Sequence, residues 1–179
     1  MTTQQKKPVQ AVLDIFAKLY PDASTELTYE NPFQLLAAVM LSAQCTDARV
    51  NQTTPALFAA YPDPKSMAAA PIPKLEKLIK SCGFYRMKAK ALKSMAESVV
   101  SQHGGQIPGT MEGLVSLRGV GRKTASVILN QAFDLPAIAV DTHVARVSHR
   151  LGWTKNTDAV KIESDLKALI PEKDWSAIN

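Results

Sequence analysis

The stretch that most constrains this chain is Leu117 to Ser126, which reads LRGVGRKTAS. Upstream, Met111, Leu114, Val115 and Leu117 fall on one stripe of a helix, and downstream Ala125, Val127, Ile128 and Leu129 lead into a second helix expected to end near Phe133. Gly119 and Gly121 flank Val120, and glycines this close permit positive φ and leave backbone N–H groups uncovered. The pattern reads as a helix, a tight hairpin and a helix. Uncovered donors at a helix N-terminus suit an anion such as phosphate, and Arg118, Arg122 and Lys123 add positive charge. A plain turn between helices is the alternative. A nucleotide-binding P-loop is disfavoured, because Arg122 separates Gly121 from Lys123 and a helical pattern, not a strand, precedes the loop.

With 179 residues, 46% of them hydrophobic, the chain can bury a core as one domain or as two small lobes. A formal charge of +5 and a pI near 9.2 lean toward a polyanionic partner without deciding it. Arg86, Lys88, Lys90 and Lys93 cluster in one helical segment, and Lys74, Lys77 and Lys80 in the one before. The plain reading is a solvated helix face, preferred for the second group. Cys45 and Cys82 are too few for a disulfide framework, and neither end supplies a metal-ligand set, which points to a reducing compartment. MTTQQKKPVQ lacks the apolar core of a signal peptide, and no run approaches the ~20 apolar residues of a membrane span. The expectation is a cytoplasmic protein.

In chain order, Val9, Val12, Leu13, Phe16 and Tyr20 give a first helix stopped by Pro21. Asn31 caps a second, opened by Pro32 and apolar nearly all round, so it should be central. Thr46 or Asp47 caps a third, which Pro55 is expected to kink. Short helices follow, punctuated by Pro71, Pro73, Gly83 and Gly104-Gly105. Asp141 is placed to cap a helix carrying Val144, Val147 and Leu151 inward, and a last clear helix spans about Asp158 to Leu169.

Two residues could carry chemistry. Lys123 lies in the first turn of the helix after the hairpin, where the helix dipole and Arg122 both disfavour an ammonium, so a nucleophilic amine is one reading and a phosphate clamp another. Asp141 reads equally as a helix cap or as a carboxylate partner for Lys123. Spacing alone does not bring the two together.

The order and content of LSAQCTD (Leu41 to Asp47), GFYRMKA (Gly83 to Ala89), LRGVGRKTAS and VDTHVARV (Val140 to Val147) resemble the endonuclease III family of helix-hairpin-helix DNA glycosylases over nearly the whole chain. The resemblance implies an all-α, two-lobed protein. A six-helix barrel lobe would take residues 24–135, with the helix-hairpin-helix at 110–133, and residues 1–23 plus 136–179 would form a second helical lobe. It also implies a bifunctional DNA glycosylase/AP lyase of base excision repair, a monomer acting on double-stranded DNA at damaged or abasic sites in the bacterial cytoplasm and nucleoid. Lys123 matches the family's catalytic lysine and Asp141 its aspartate. Lysine at that position separates the pattern from adenine glycosylases and favours oxidised pyrimidines.

The resemblance further assigns Gln44 to the gap left by a flipped base and Phe84 to an apolar wedge. Read from residues alone, they are a solvated glutamine and a core phenylalanine. The hairpin from Leu117 through Arg118, Gly119 and Val120 to Gly121, with Arg122 and Thr124, would grip DNA phosphates. The carbonyls of Arg118 and Val120 could hold a monovalent cation. Other metals are not expected.

Two departures stand out. Arg118 replaces the proline usual before GVG. The family's loop of four cysteines holding a 4Fe-4S cluster has no counterpart here, and Asp174, Trp175 and Ile178 read as a helix just opening at a truncated end. A non-enzymatic DNA-binding module, or an inactive fragment, is the alternative.

Overall fold

The computed structural model describes residues 7–21 and 25–178. All regular structure among them is helical. Helix α1 spans Val9–Leu19 and buries Leu13. Helix α2, Pro32–Ser42, is capped by Asn31, whose side chain accepts from the Gln34 amide at 3.0 Å. Leu35, Leu36, Ala37, Ala38 and Leu41 are fully enclosed, which makes α2 the central rod. Thr46 caps α3, Asp47–Ala60, and the helix runs through Pro55 without a break. Helix α4, Pro64–Ala68, is short and held by a reciprocal Asp63–Ser66 capping box. Helix α5 covers Ile72–Leu78, and α6, Tyr85–His103, is stopped by Gly104 at φ +60°. Helix α7, Met111–Ser116, is capped by Thr110, α8 spans Arg122–Phe133, and α9, Thr142–Arg150, is capped by Asp141. Asp158 caps α10, Ala159–Leu169.

The apolar stripes converge on two clusters. Helices α2 to α8 all contribute to the larger, from Leu27 to Ala137. The smaller joins Leu13 of α1 to Ile138, Trp153, Ile162, Leu166 and Ile170. Adjacent residues Ala137 and Ile138 thus point into different clusters. The N-terminal segment is tied to the smaller one by Trp153, whose indole N–H donates to the Lys7 carbonyl at 2.9 Å, and by the Lys7 amide donating to Leu151 O at 2.9 Å. The expected boundary between residues 23 and 24 lies outside the described residues, as does most of the first decapeptide.

Two expectations need correction. Residues Glu172–Ile178 form a 3-10 segment, not the opening of an α-helix, with the Trp175 indole donating back to the Ile170 carbonyl at 2.9 Å. Val147, expected to point inward from α9, is 37% exposed. Two lysines of α6 are drawn into the fold. Lys88 is buried and its Nζ donates to the Leu41 carbonyl at 2.8 Å, so it satisfies one of the orphan acceptors at the end of α2. Lys93 likewise bonds the carbonyls of Ala68 and Ala70, closing the end of α4. Helix α6 thereby uses two cations to terminate two neighbouring helices.

Candidate functional site

The hairpin between α7 and α8 is pinned by its apolar members. Leu117 and Val120 are buried, and the Val120 amide donates to the Leu117 carbonyl at 3.1 Å. Gly119 takes φ +82°, a backbone angle that calls for glycine, and a Cβ there would meet Met40 Cε at 3.4 Å, an ordinary contact. Arg118, Gly119 and Gly121 face outward. Gly121 precedes α8 without any side chain to cap it, so the first-turn amides, including those of Lys123 and Thr124, open toward solvent. Of the expected phosphate grip, Leu117 and Val120 can offer only backbone.

Lys123 projects from that first turn, with its side chain 56% exposed, and its Nζ lies 3.3 Å from Asp141 Oδ2. The two residues, far apart in sequence, therefore meet. Asp141 divides its oxygens: Oδ1 accepts from the amides of His143 and Val144, both at 2.8 Å, while Oδ2 faces the amine. Cap and partner are both true of this carboxylate. Burial is the largest influence on Asp141 and pushes its pKa up, but the Val144 amide, the Lys123 ammonium and the His143 amide together outweigh it, and the net shift is down. The carboxylate stays ionised beside the amine.

Gln44 and Phe84 are both exposed and both left-handed, at φ 53° and 56°. Such angles in non-glycine residues store about 1–3 kcal/mol each and gather at working sites. Their turns are neighbours, since a Cβ on Gly83 would sit 3.6 Å from the Gln44 carbonyl. Phe84 is 60% exposed, so the reading of a core phenylalanine fails. Met87, one turn further on and 71% exposed, extends the apolar tip. It escaped the sequence reading because a methionine on a basic helix carries no distinctive signal.

Arg122 is held within the chain by an ion pair. Its Nε and a terminal N–H donate to the two oxygens of Glu163 on α10, at 2.5 and 3.1 Å. Glu163 also receives Lys167 Nζ at 2.6 Å. Neither Glu163 nor this pairing is marked by any motif.

A cubane cluster takes four thiolates. The sequence has two cysteines, and among the described residues no group of three or more His, Cys, Asp or Glu is arranged to hold a metal ion. Cys82 is buried and in contact with Thr53 and Cys45 in the larger cluster. The residues present do not form such a site. Among the described residues no helix is long and apolar enough to cross a membrane.

Comparison with known proteins agrees with this geometry. Residues 37–172 match the HhH-GPD superfamily of base excision DNA repair proteins. Endonuclease III of Synechocystis sp. is 49% identical over 172 residues, covering 96% of this chain and 78% of that protein. Endonuclease III of Bacillus subtilis is 46% identical over 171 residues, covering 95% and 78%. A solved structure of a trapped endonuclease III–DNA covalent intermediate superposes with a TM-score of 0.90 at 45% identity, covering 99% of this chain and 83% of that one. Motif order, hairpin, lysine–aspartate pair and overall likeness converge, and the chain belongs to the endonuclease III family of the HhH-GPD superfamily.

Proposed function

We propose that this chain is a bifunctional DNA glycosylase/AP lyase of base excision repair, acting on oxidised pyrimidines in duplex DNA. The observation that carries the reading is the Lys123–Asp141 pair, 3.3 Å apart beside an uncapped helix start and a glycine hairpin. The uncapped amides of α8 and the outward backbone at Arg118, Gly119 and Gly121 bind phosphates on either side of the lesion. The carbonyls of Arg118 and Val120 serve as ligands for a monovalent cation. Phe84 enters the stack as the damaged base leaves it, and Gln44 hydrogen-bonds the orphaned partner base.

Lys123 Nζ, once its ammonium has given up a proton to solvent, attacks C1′ of the extruded nucleotide and the base departs with the glycosidic electron pair. Asp141 stabilises the oxocarbenium-like sugar and takes the proton that the attacking amine sheds. Ring opening leaves an imine between Nζ and C1′. Loss of a C2′ proton beside that imine expels the 3′ phosphate by β-elimination, and water releases the lysine. No metal enters this sequence of steps.

We divide the chain as residues 24–135, the barrel lobe with the hairpin at 110–133, and residues 1–23 plus 136–179, the second lobe. The two apolar clusters support that division. In the endonuclease III family the second lobe carries a 4Fe-4S cluster, and among the described residues no group is arranged to hold one.

Borohydride reduction on a duplex containing an abasic site tests the reading, because only an imine-forming amine becomes covalently fixed. Wild-type protein should trap, and Lys123→Ala should abolish trapping while binding the duplex with similar affinity. Absence of trapping by wild-type protein leaves only a DNA-binding module.

A further inference from the structure

Arg122 and Glu163 belong to different parts of the fold. Arg122 opens α8, whose Ala125, Ile128 and Leu129 lie in the larger cluster, and Glu163 stands on α10 between Ile162 and Leu166 of the smaller one. The Glu163 side chain is only 5% exposed. One of its flanks takes the Arg122 fork through two hydrogen bonds, and the other takes Lys167, whose ammonium also lies 4.8 Å from the centre of the Trp175 ring. A planar guanidinium held at two points is fixed in direction as well as in distance.

That fixation matters because of what adjoins it. Lys123 is the next residue after Arg122, and Asp141 is reached only through Ile138, which is anchored in the smaller cluster. The amine and its carboxylate therefore sit on opposite sides of the join, and their separation is set by how the start of α8 is held against α10. The same fork commits a guanidinium that stands beside the phosphate-facing hairpin. Building on the glycosylase/lyase reading of Lys123, we infer that Glu163 is a positioning residue for the Lys123–Asp141 pair: by gripping Arg122 it sets the amine against the carboxylate and keeps Arg122 off the DNA backbone.

The test combines single-turnover borohydride trapping at saturating enzyme with binding titrations over a range of salt. In Glu163→Gln the trapping rate falls about ten- to a hundredfold, the scale of a misplacement near 1 Å. Affinity for the abasic duplex does not weaken, and the slope of log affinity against log salt steepens by up to about one unit as the released Arg122 reaches a phosphate. Arg122→Lys keeps the charge but loses the fork, and its trapping rate falls in the same direction. Leu13→Ala, a buried change in the smaller cluster made from α1, lowers the melting temperature yet keeps the wild-type trapping rate below its midpoint.

Glu163→Gln trapping at the wild-type rate overturns the inference while leaving the enzyme reading intact. So does a Leu13→Ala variant that loses as much trapping as Glu163→Gln, since the role is then one of general stability. Should Glu163→Gln not fold, Arg122→Lys decides alone, and a wild-type rate there overturns the proposal. Wild-type protein that fails to trap overturns both readings.

Discussion

Asp141→Asn separates the two duties that one carboxylate performs. Asparagine keeps a side-chain carbonyl for the His143 and Val144 amides, and asparagine and aspartate are nearly equal as helix caps. The loss in stability should be at most about 1 kcal/mol, the usual worth of a partly exposed ion pair. Asp141→Ala removes the cap as well and should lose about 1 kcal/mol more, or a further drop of about 2–4 °C in Tm for a chain of this size. Trapping should behave differently. Asp141 Oδ2 lies 3.3 Å from the attacking Nζ, so the positive charge that builds on the sugar and the imine nitrogen would feel an attraction of about 1 kcal/mol in bulk water and about 5 kcal/mol at an effective dielectric near 20. The free site, with the amine half exposed, lies toward the lower value, and DNA closing over it moves the pair toward the upper. Loss of the charge should therefore slow trapping by about a hundred- to a thousandfold. The assay is single-turnover trapping on an abasic duplex beside thermal unfolding of both variants. If Asp141→Asn traps at the wild-type rate while Asp141→Ala loses only stability, Asp141 is a cap and nothing more.

Other outcomes follow from the same structure. Gly119→Ala must take a side chain to φ +82° with Met40 Cε 3.4 Å from the new Cβ, and should lose about 1–2 kcal/mol in urea unfolding and weaken duplex binding. Phe84→Ala should leave the melting temperature nearly unchanged, because the ring is largely in solvent, yet lower affinity for a lesion duplex about tenfold as the wedge is lost. Acid sensitivity has a defined sign. Asp141 and Glu163 both have folded pKa values below their ordinary ones, so the stability they contribute is complete above about pH 4.5 and is lost as pH falls through the lowered values. Glu163→Gln should flatten the decline in unfolding midpoint between about pH 5 and about pH 3 relative to wild type.

Local chemistry made much of this molecule readable. Asn31 before Pro32, Thr110, Asp141 and Asp158 announce helix starts because a short polar side chain is needed wherever orphan amides begin, and each of the four accepts such an amide. Glycine at 119 and 104 marks a backbone that other residues resist. What stayed hidden is long-range. Arg122 finds Glu163 across 41 residues and Lys88 finds Leu41 across 47, and no periodicity records which partner a charge will meet. For Lys88 and Lys93 spacing left a phosphate-seeking patch and a solvated face both open, because it shows a face without showing what lies over it. The left-handed turns of Gln44 and Phe84 were not legible, since neither residue type advertises such a backbone.

Those two turns carry a consequence for anyone who would harden the protein. Glycine adopts the angles of Gln44 and Phe84 without steric penalty, so Gln44→Gly and Phe84→Gly stand to gain roughly 1 kcal/mol apiece while deleting the side chains proposed to enter the duplex. Under those proposed roles, selection for heat resistance alone would trade away DNA contact first, and a thermostability screen run without a lesion substrate would not notice the loss.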